Sequence, residues 1–202
     1  MKNNFRQSPI NIESNETIRI DSHDLLSIGY HNVVNCRVKH DGRFLRLSNF
    51  QNQTVRYRNR DYHLIDIHYH GPSEHKIDGQ STAIECHMVH ANQEDNGFLV
   101  LGIMIEPCDS SGSDHGVIFN NIPQPNQTRD IKLGLNNLGT QGGFYTYAGS
   151  LTTPPYTENV QWVVFKQKHM VSSDLIRKYR NAFPKNNRKC CSCSNIFVFE
   201  KN

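Results

Sequence analysis

Apolar and polar positions alternate through most of the middle of the chain, and a two-residue period predicts strands rather than helices. Arg43-Phe-Leu-Arg-Leu47 shows the alternation, and residues 62–70, 83–90, 98–105 and 160–165 are rich in branched and aromatic side chains. Turn signals separate these runs at Asp41-Gly42, Asp78-Gly79, Asn96-Gly97 and Gly142-Gly143. A helical period appears twice. Residues 114–121 predict a short helix. Residues 173–183 predict a second, with Ser172 or Ser173 as its cap, Leu175, Ile176 and Tyr179 as its apolar stripe, and Pro184 as its stop. No internal repeat or long linker interrupts the pattern. The expected fold is mostly β (α+β): a single domain with one large, mainly antiparallel sheet and a few short helices.

Composition narrows the class. A chain of 202 residues can bury a sizeable core without splitting. Its net charge is only +3, and Lys and Arg are scattered, so no basic stripe for nucleic acid is present. Arg56, Arg58 and Arg60 alternate with Tyr57 and Asn59 and read as the solvated face of a strand. No apolar run reaches the roughly 18 residues of a transmembrane helix. The opening Met1-Lys-Asn-Asn-Phe-Arg6 lacks the apolar core of a signal peptide. The six cysteines are unevenly spaced and do not read as a disulfide framework. Cys190, Cys191 and Cys193 cluster in a polar stretch at 185–202 with no convincing fourth ligand nearby, so a loose tail is expected, with Ile196-Phe-Val-Phe199 as a short strand.

The candidate chemistry lies in the histidines. His68 and His70 are one residue apart in a strand, so both imidazoles point to one face. A neighbouring strand can bring His87 to that face. Three neutral imidazoles with an open fourth position make a catalytic zinc site. Glu85 shares the face of His87 and can accept the free N–H of a ligating imidazole.

Several separate motifs, in order, resemble the alpha-class carbonic anhydrases. They are Gln7-Ser-Pro-Ile-Asn11-Ile, the H-x-H, S-E-H and E-x-H-x-V-H elements between Ile67 and His90, Leu99-Val-Leu-Gly102-Ile, and Tyr145-Thr-Tyr147-Ala-Gly149-Ser-Leu151-Thr-Thr-Pro-Pro155. Glu158, Val160 and Trp162 follow in register, and the likeness runs from about Gln7 to about Phe183. It implies a twisted central sheet with Zn2+ at the bottom of a cone, held by His68, His70 and His87. It also implies hydration of carbon dioxide to bicarbonate by zinc-bound hydroxide, and sensitivity to sulfonamides. Carbonic anhydrases are themselves the standard example of this metal chemistry.

By the same resemblance Thr152 orients the hydroxide and Glu74 holds Thr152. Val89, Val100, Leu151, Val160 and Trp162 form the apolar wall for carbon dioxide, with Thr153 beside the attack site. His75 and Tyr147 form a structural pair. Asp66 stands where the family carries glutamine behind the first ligand, and a carboxylate there still accepts the imidazole N–H. Arg43 takes the place of the proton-shuttle histidine and cannot relay protons near neutral pH, which leaves His40 as a partial substitute. Tyr156 occupies the position of a cysteine found in secreted members, which favours a reducing, cytoplasmic setting. The family's N-x-R-x-x-Q segment and its N-terminal aromatic segment find no match, so the expectation is a domain at 1–184, shortened at both ends, with a cysteine-containing tail at 185–202. Some carbonic-anhydrase-like proteins have lost their zinc ligands and serve as adhesion or glycosaminoglycan-binding modules. That alternative has no physical need for His68, His70, His87, Glu74 and Thr152, all of which are present here.

Overall fold

The alternating runs build a sheet of thirteen strands in the computed structural model, which describes residues 6–21, 24–31, 33–109, 113–192 and 196–202. Its main path runs in the order Thr128–Leu133, Val34–His40, Leu45–Ser48, Arg60–His70, Ile84–Ala91, Phe98–Cys108, Glu158–Phe165, Phe144–Ser150, Phe199–Lys201, Ile18–Arg19. Most neighbours are antiparallel, but the sheet is mixed. Phe98–Cys108 pairs in parallel with both Glu158–Phe165 and His169–Ser172, and Phe199–Lys201 pairs in parallel with Ile18–Arg19. Parallel neighbours need a long crossover. The stretch between Phe98–Cys108 and Glu158–Phe165 supplies one, and it includes the helix Asp114–Asn120 and the edge strand Thr128–Leu133.

A β-bulge between Leu64 and Asp66 decides which face carries the histidines. Before it, Tyr62 and Leu64 point into the main core; after it, Ile67 and Tyr69 do. The positions before and after have opposite parity, and the extra residue, Ile65, absorbs the change. Its apolar side chain is left 48% exposed. A bulge near a site re-aims the side chains that follow it, and here Asp66, His68 and His70 are turned to the opposite face. That face holds a second apolar cluster, which includes Val89, Val100, Val160 and Trp162.

The cluster Arg56, Arg58, Arg60 is a hairpin rather than one continuous strand face. Thr54–Tyr57 and Arg60–His70 pair antiparallel across Arg58-Asn59, both with positive φ. Two left-handed residues in a two-residue loop match the twist of the strands they join. Arg56 pairs with Asp61 and Arg60 with Asp95, so their charges are answered locally.

Both predicted helices form. Ser113 caps Asp114–Asn120, and of the two candidates Ser172 caps Ser173–Ala182 by accepting from the Leu175 amide. Tyr179 is fully buried, and its hydroxyl donates to the Tyr69 carbonyl at 2.9 Å. Among its described residues, the stretch after Pro184 is tied down rather than loose. Phe199–Lys201 lies between Phe144–Ser150 and Ile18–Arg19, and the Cys191 amide donates to the Pro9 carbonyl at 2.8 Å. Cys193 lies outside the described residues. Among the described residues no helix is long and apolar enough to cross a membrane.

Candidate metal centre

His68 stands directly opposite His87 across the antiparallel pair Arg60–His70 and Ile84–Ala91, and His70 follows on the same face. The three rings gather with centroids 4.9 Å (His68–His70), 5.2 Å (His68–His87) and 4.6 Å (His70–His87) apart. One nitrogen from each lies within 4.8 Å of the others. Each ring has a partner on its far side. Asp66 Oδ2 is 2.5 Å from His68 Nδ1, the Asn186 carbonyl is 3.4 Å from His70 Nδ1, and Glu85 Oε1 is 2.9 Å from His87 Nε2. Each of these acceptors takes an imidazole N–H and leaves the other nitrogen bare. His70 Nε2 is buried with no hydrogen-bond partner, and a buried polar atom left so needs an explanation. A metal ion held by the three rings supplies one. Burial lowers His70 well below the ordinary histidine value and His87 to about 4, so both are neutral near pH 7 and keep a lone pair to give.

Glu85 ties this cluster to the core. Burial disfavours its charge, but His75 and His87 outweigh burial and hold it well below the usual carboxylate range. Its Oε2 accepts the amides of Glu74 and His75, each at 2.8 Å. Its Oε1 meets both His87 Nε2 and His75 Nδ1, the latter at 2.7 Å. His75 Nε2 then lies 2.6 Å from the Tyr147 hydroxyl, which donates to Ser8 Oγ at 2.9 Å. His75, Glu85 and His87 also group closely enough for a metal, yet both His75 nitrogens are already taken by this chain. Gly102 leaves room for the carboxylate: a Cβ there would sit 3.1 Å from Glu85 Oε1.

Glu74 is buried beside His70, its Oε1 3.2 Å from Nδ1. Burial raises its pKa to about 8, against the pull of a hydrogen bond from Thr152 and of the Arg188 amide. That amide donates to Oε1 at 2.6 Å, while Oε2 makes no hydrogen bond of good geometry. Asp66 is lowered instead: burial pushes it up, but its bond to His68 and the charges of His68 and Arg46 prevail.

The N-x-R part of the segment expected to find no match is present. Asn186-Asn187-Arg188 fills its place, and Cys191 stands where the glutamine was sought. The Asn186 side chain accepts from the Gly71 amide at 2.8 Å and donates to the Arg43 and Tyr69 carbonyls at 3.0 and 3.2 Å. Its own carbonyl faces His70. Arg188 donates to the Ser8 carbonyl at 2.6 Å and stacks 3.8 Å from the centre of the Tyr156 ring. The asparagine and arginine at their spacing were the available signal.

Val89, Val100, Val160 and Trp162 share one buried cluster, with Leu151 packed against it. Trp162 approaches His87 with ring centroids 4.8 Å apart. Thr152 is buried and Thr153 half-buried on the turn that follows Phe144–Ser150. Phe44 lies edge-on to His68 and His70, at 6.0 and 5.4 Å, and exposed Arg43 covers its ring at 5.0 Å. His40 is on the wrong side. It is buried, packs on Phe183 in the main core at 4.2 Å, and accepts the Gly42 amide at Nδ1. In Val34–His40 the alternation sends His40 to the face of Cys36 and Val38, away from the metal cluster, and this removes it as a proton relay.

The profile of the eukaryotic-type carbonic anhydrases matches residues 2–197. A carbonic anhydrase of the cyanobacterium Nostoc sp. is 28% identical over 202 residues, covering 96% of this chain and 75% of its own. Alpha carbonic anhydrase 2 of Arabidopsis thaliana is 32% identical, over 80% of this chain and 68% of its own. The alpha-carbonic anhydrase of Thermovibrio ammonificans, solved with the inhibitor sulfanilamide, superposes with a TM-score of 0.87 at 26% identity, covering 96% of this chain and 86% of that one.

Proposed function

The chain belongs to the eukaryotic-type carbonic anhydrase family, and from that premise we propose that it is a zinc enzyme that hydrates carbon dioxide reversibly to bicarbonate and a proton. The observation that carries the reading is the inward, buried and otherwise unpartnered nitrogen of His70 within the three-histidine cluster. His68, His70 and His87 are a donor set that zinc accepts with one position left open. Zinc bound there supplies Lewis acidity, which makes hydroxide available from water near neutral pH.

The chain's own residues do the rest. Asp66, Asn186 and Glu85 fix which nitrogen of each imidazole is bare. Thr152 eases the buried charge of Glu74, and a Thr152 hydroxyl turned to that carboxylate would leave its oxygen with only lone pairs to orient the reacting oxygen. Val89, Val100, Leu151, Val160 and Trp162 give the apolar substrate a dry wall. Arg43, at the rim, holds its proton throughout the working range and cannot carry one outward.

The test joins zinc content to activity. The purified chain is expected to hold one zinc and to hydrate carbon dioxide, with a primary sulfonamide blocking the reaction. Stoichiometric zinc without hydration would overturn the catalytic reading. Full hydration in thoroughly chelated protein would overturn the metal reading.

A further inference from the structure

Arg46 stands opposite His68 on the neighbouring strand. Its Nη1 donates to Asp66 Oδ2 at 2.8 Å, and that same oxygen is 2.5 Å from His68 Nδ1. Its Nε donates to Asp41 Oδ2 at 3.2 Å, and Asp41 Oδ1 is fixed in turn by the amides of Arg43 and Phe44 at 2.9 and 2.6 Å. The guanidinium also lies 5.2 Å from the centre of the Phe44 ring, which edges against His68 and His70. Arg46 is therefore held by Asp41, Asp66 and the Phe44 ring together. The Arg46 and Asp66 side chains are only 32% and 20% exposed, so solvent screens the pair incompletely.

An acceptor behind a ligating imidazole fixes its tautomer, and a charged acceptor also makes the ring more basic and adds negative charge to the site. Arg46 occupies the oxygen that serves His68 and returns the opposite charge at that point. Arg43 and Arg46 both lie against the Phe44 ring, and Arg46 meets both Asp41 and Asp66, so the formal charges around Phe44 sum to zero. Resting on the zinc reading above, we propose that Arg46 is a positioning residue of the metal site, which balances Asp66 so that a carboxylate can aim His68 without adding net charge to the three-histidine cluster.

Zinc affinity, measured by competition with a chelator on the full chain, tests this without reference to turnover. Arg46→Gln leaves Asp66 unbalanced and is expected to tighten zinc about fivefold. Asp66→Gln leaves Arg46 with Asp41 alone, one negative charge fewer beside His68, and is expected to weaken it about tenfold. The double variant should return to within about threefold of the starting chain, and Arg46→Lys, which keeps the charge, should do the same. Opposite signs in the two single variants are the signature of balance. Weakening in both, as a merely structural role would give, overturns the proposal, as does an Arg46→Gln chain with unchanged affinity. A starting chain that binds no zinc overturns the zinc reading and this inference together. Zinc binding with same-sign variants overturns this inference alone.

Discussion

His68 and His87 form a directly opposed pair on adjacent antiparallel strands, their ring centroids 5.2 Å apart. Opposed positions bring side chains of one face close together, so neither ring can be lost without opening the cluster. His87→Ala is expected to lower zinc affinity roughly 100-fold or more, beyond the 10- to 100-fold range for losing a supporting residue, and to abolish hydration. Metal analysis after dialysis checks the first, and a stopped-flow hydration assay the second. Full activity in this variant would remove His87 from the site.

Thr152→Val keeps the shape of the side chain and removes its hydroxyl. The expected result is unchanged zinc content with hydration reduced roughly 100-fold, the scale of losing one aligned polar contact at a reacting oxygen. Glu74→Gln should fall in the same direction. Wild-type turnover in Thr152→Val would show that the hydroxyl orients nothing.

With Arg43 at the rim and His40 on the other face, proton export should limit turnover. A relay works best when its pKa lies near the working pH. Arg43→His is expected to raise turnover in dilute buffer, and imidazole-type buffers should raise it for the unaltered chain. Fast turnover in dilute buffer, indifferent to both changes, would place the relay on another group.

Two buried histidines outside the metal cluster set an acid limit on stability. Burial lowers His115 to about 3 and His90 to about 4. The unfolded chain takes up a proton on each near the ordinary value of about 6.5. Both folded values are depressed, so this contribution is complete above about pH 6.5 and is lost as pH falls toward 4 and then 3. Within that window each group costs about 1.4 kcal/mol per pH unit. Denaturant unfolding of the metal-free chain at pH 7, 6 and 5 should show stability falling with pH. Glu74, raised to about 8, opposes this trend and His70 and His87 add to it, so an NMR titration of His90 and His115 decides: either ring charging near pH 6.5 would mean that it is not buried neutral.

Much of this was readable in the chain. From Asp66 to His70 and from Glu85 to His87 the alternation is regular, so the two-residue period puts His68 with His70 on one face of one strand and Glu85 with His87 on one face of the next, while the place of Asp66 was read from the resemblance. What it could not show is the bulge. Simple alternation from Leu64 would place that leucine with the histidines, and only the pairing partner reveals that Ile65 is the unpaired residue. The Arg58-Asn59 turn was hidden because neither residue is a glycine, the usual sign of left-handed backbone. Asn186 and Arg188 were hidden by Cys191, which stands in place of the motif's glutamine within a cysteine-rich stretch. Parallel pairing is set by how the chain crosses over, and no local pattern encodes that.

Arg188 joins Gln7 and Ser8 across almost the whole sequence, with separations of 181 and 180 residues. The three clustered histidines, in contrast, come from two adjoining strands. Contacts between distant parts of a chain carry the entropy of closing large loops and tend to form slowly. The two halves of the site should therefore mature on different clocks. The histidine strands can pair early, while the backing of His70 and Glu74 waits for the ends of the chain to meet. In refolding, metal capture at the histidines should precede recovery of activity, and the interval between them should report the docking of Asn186 and Arg188.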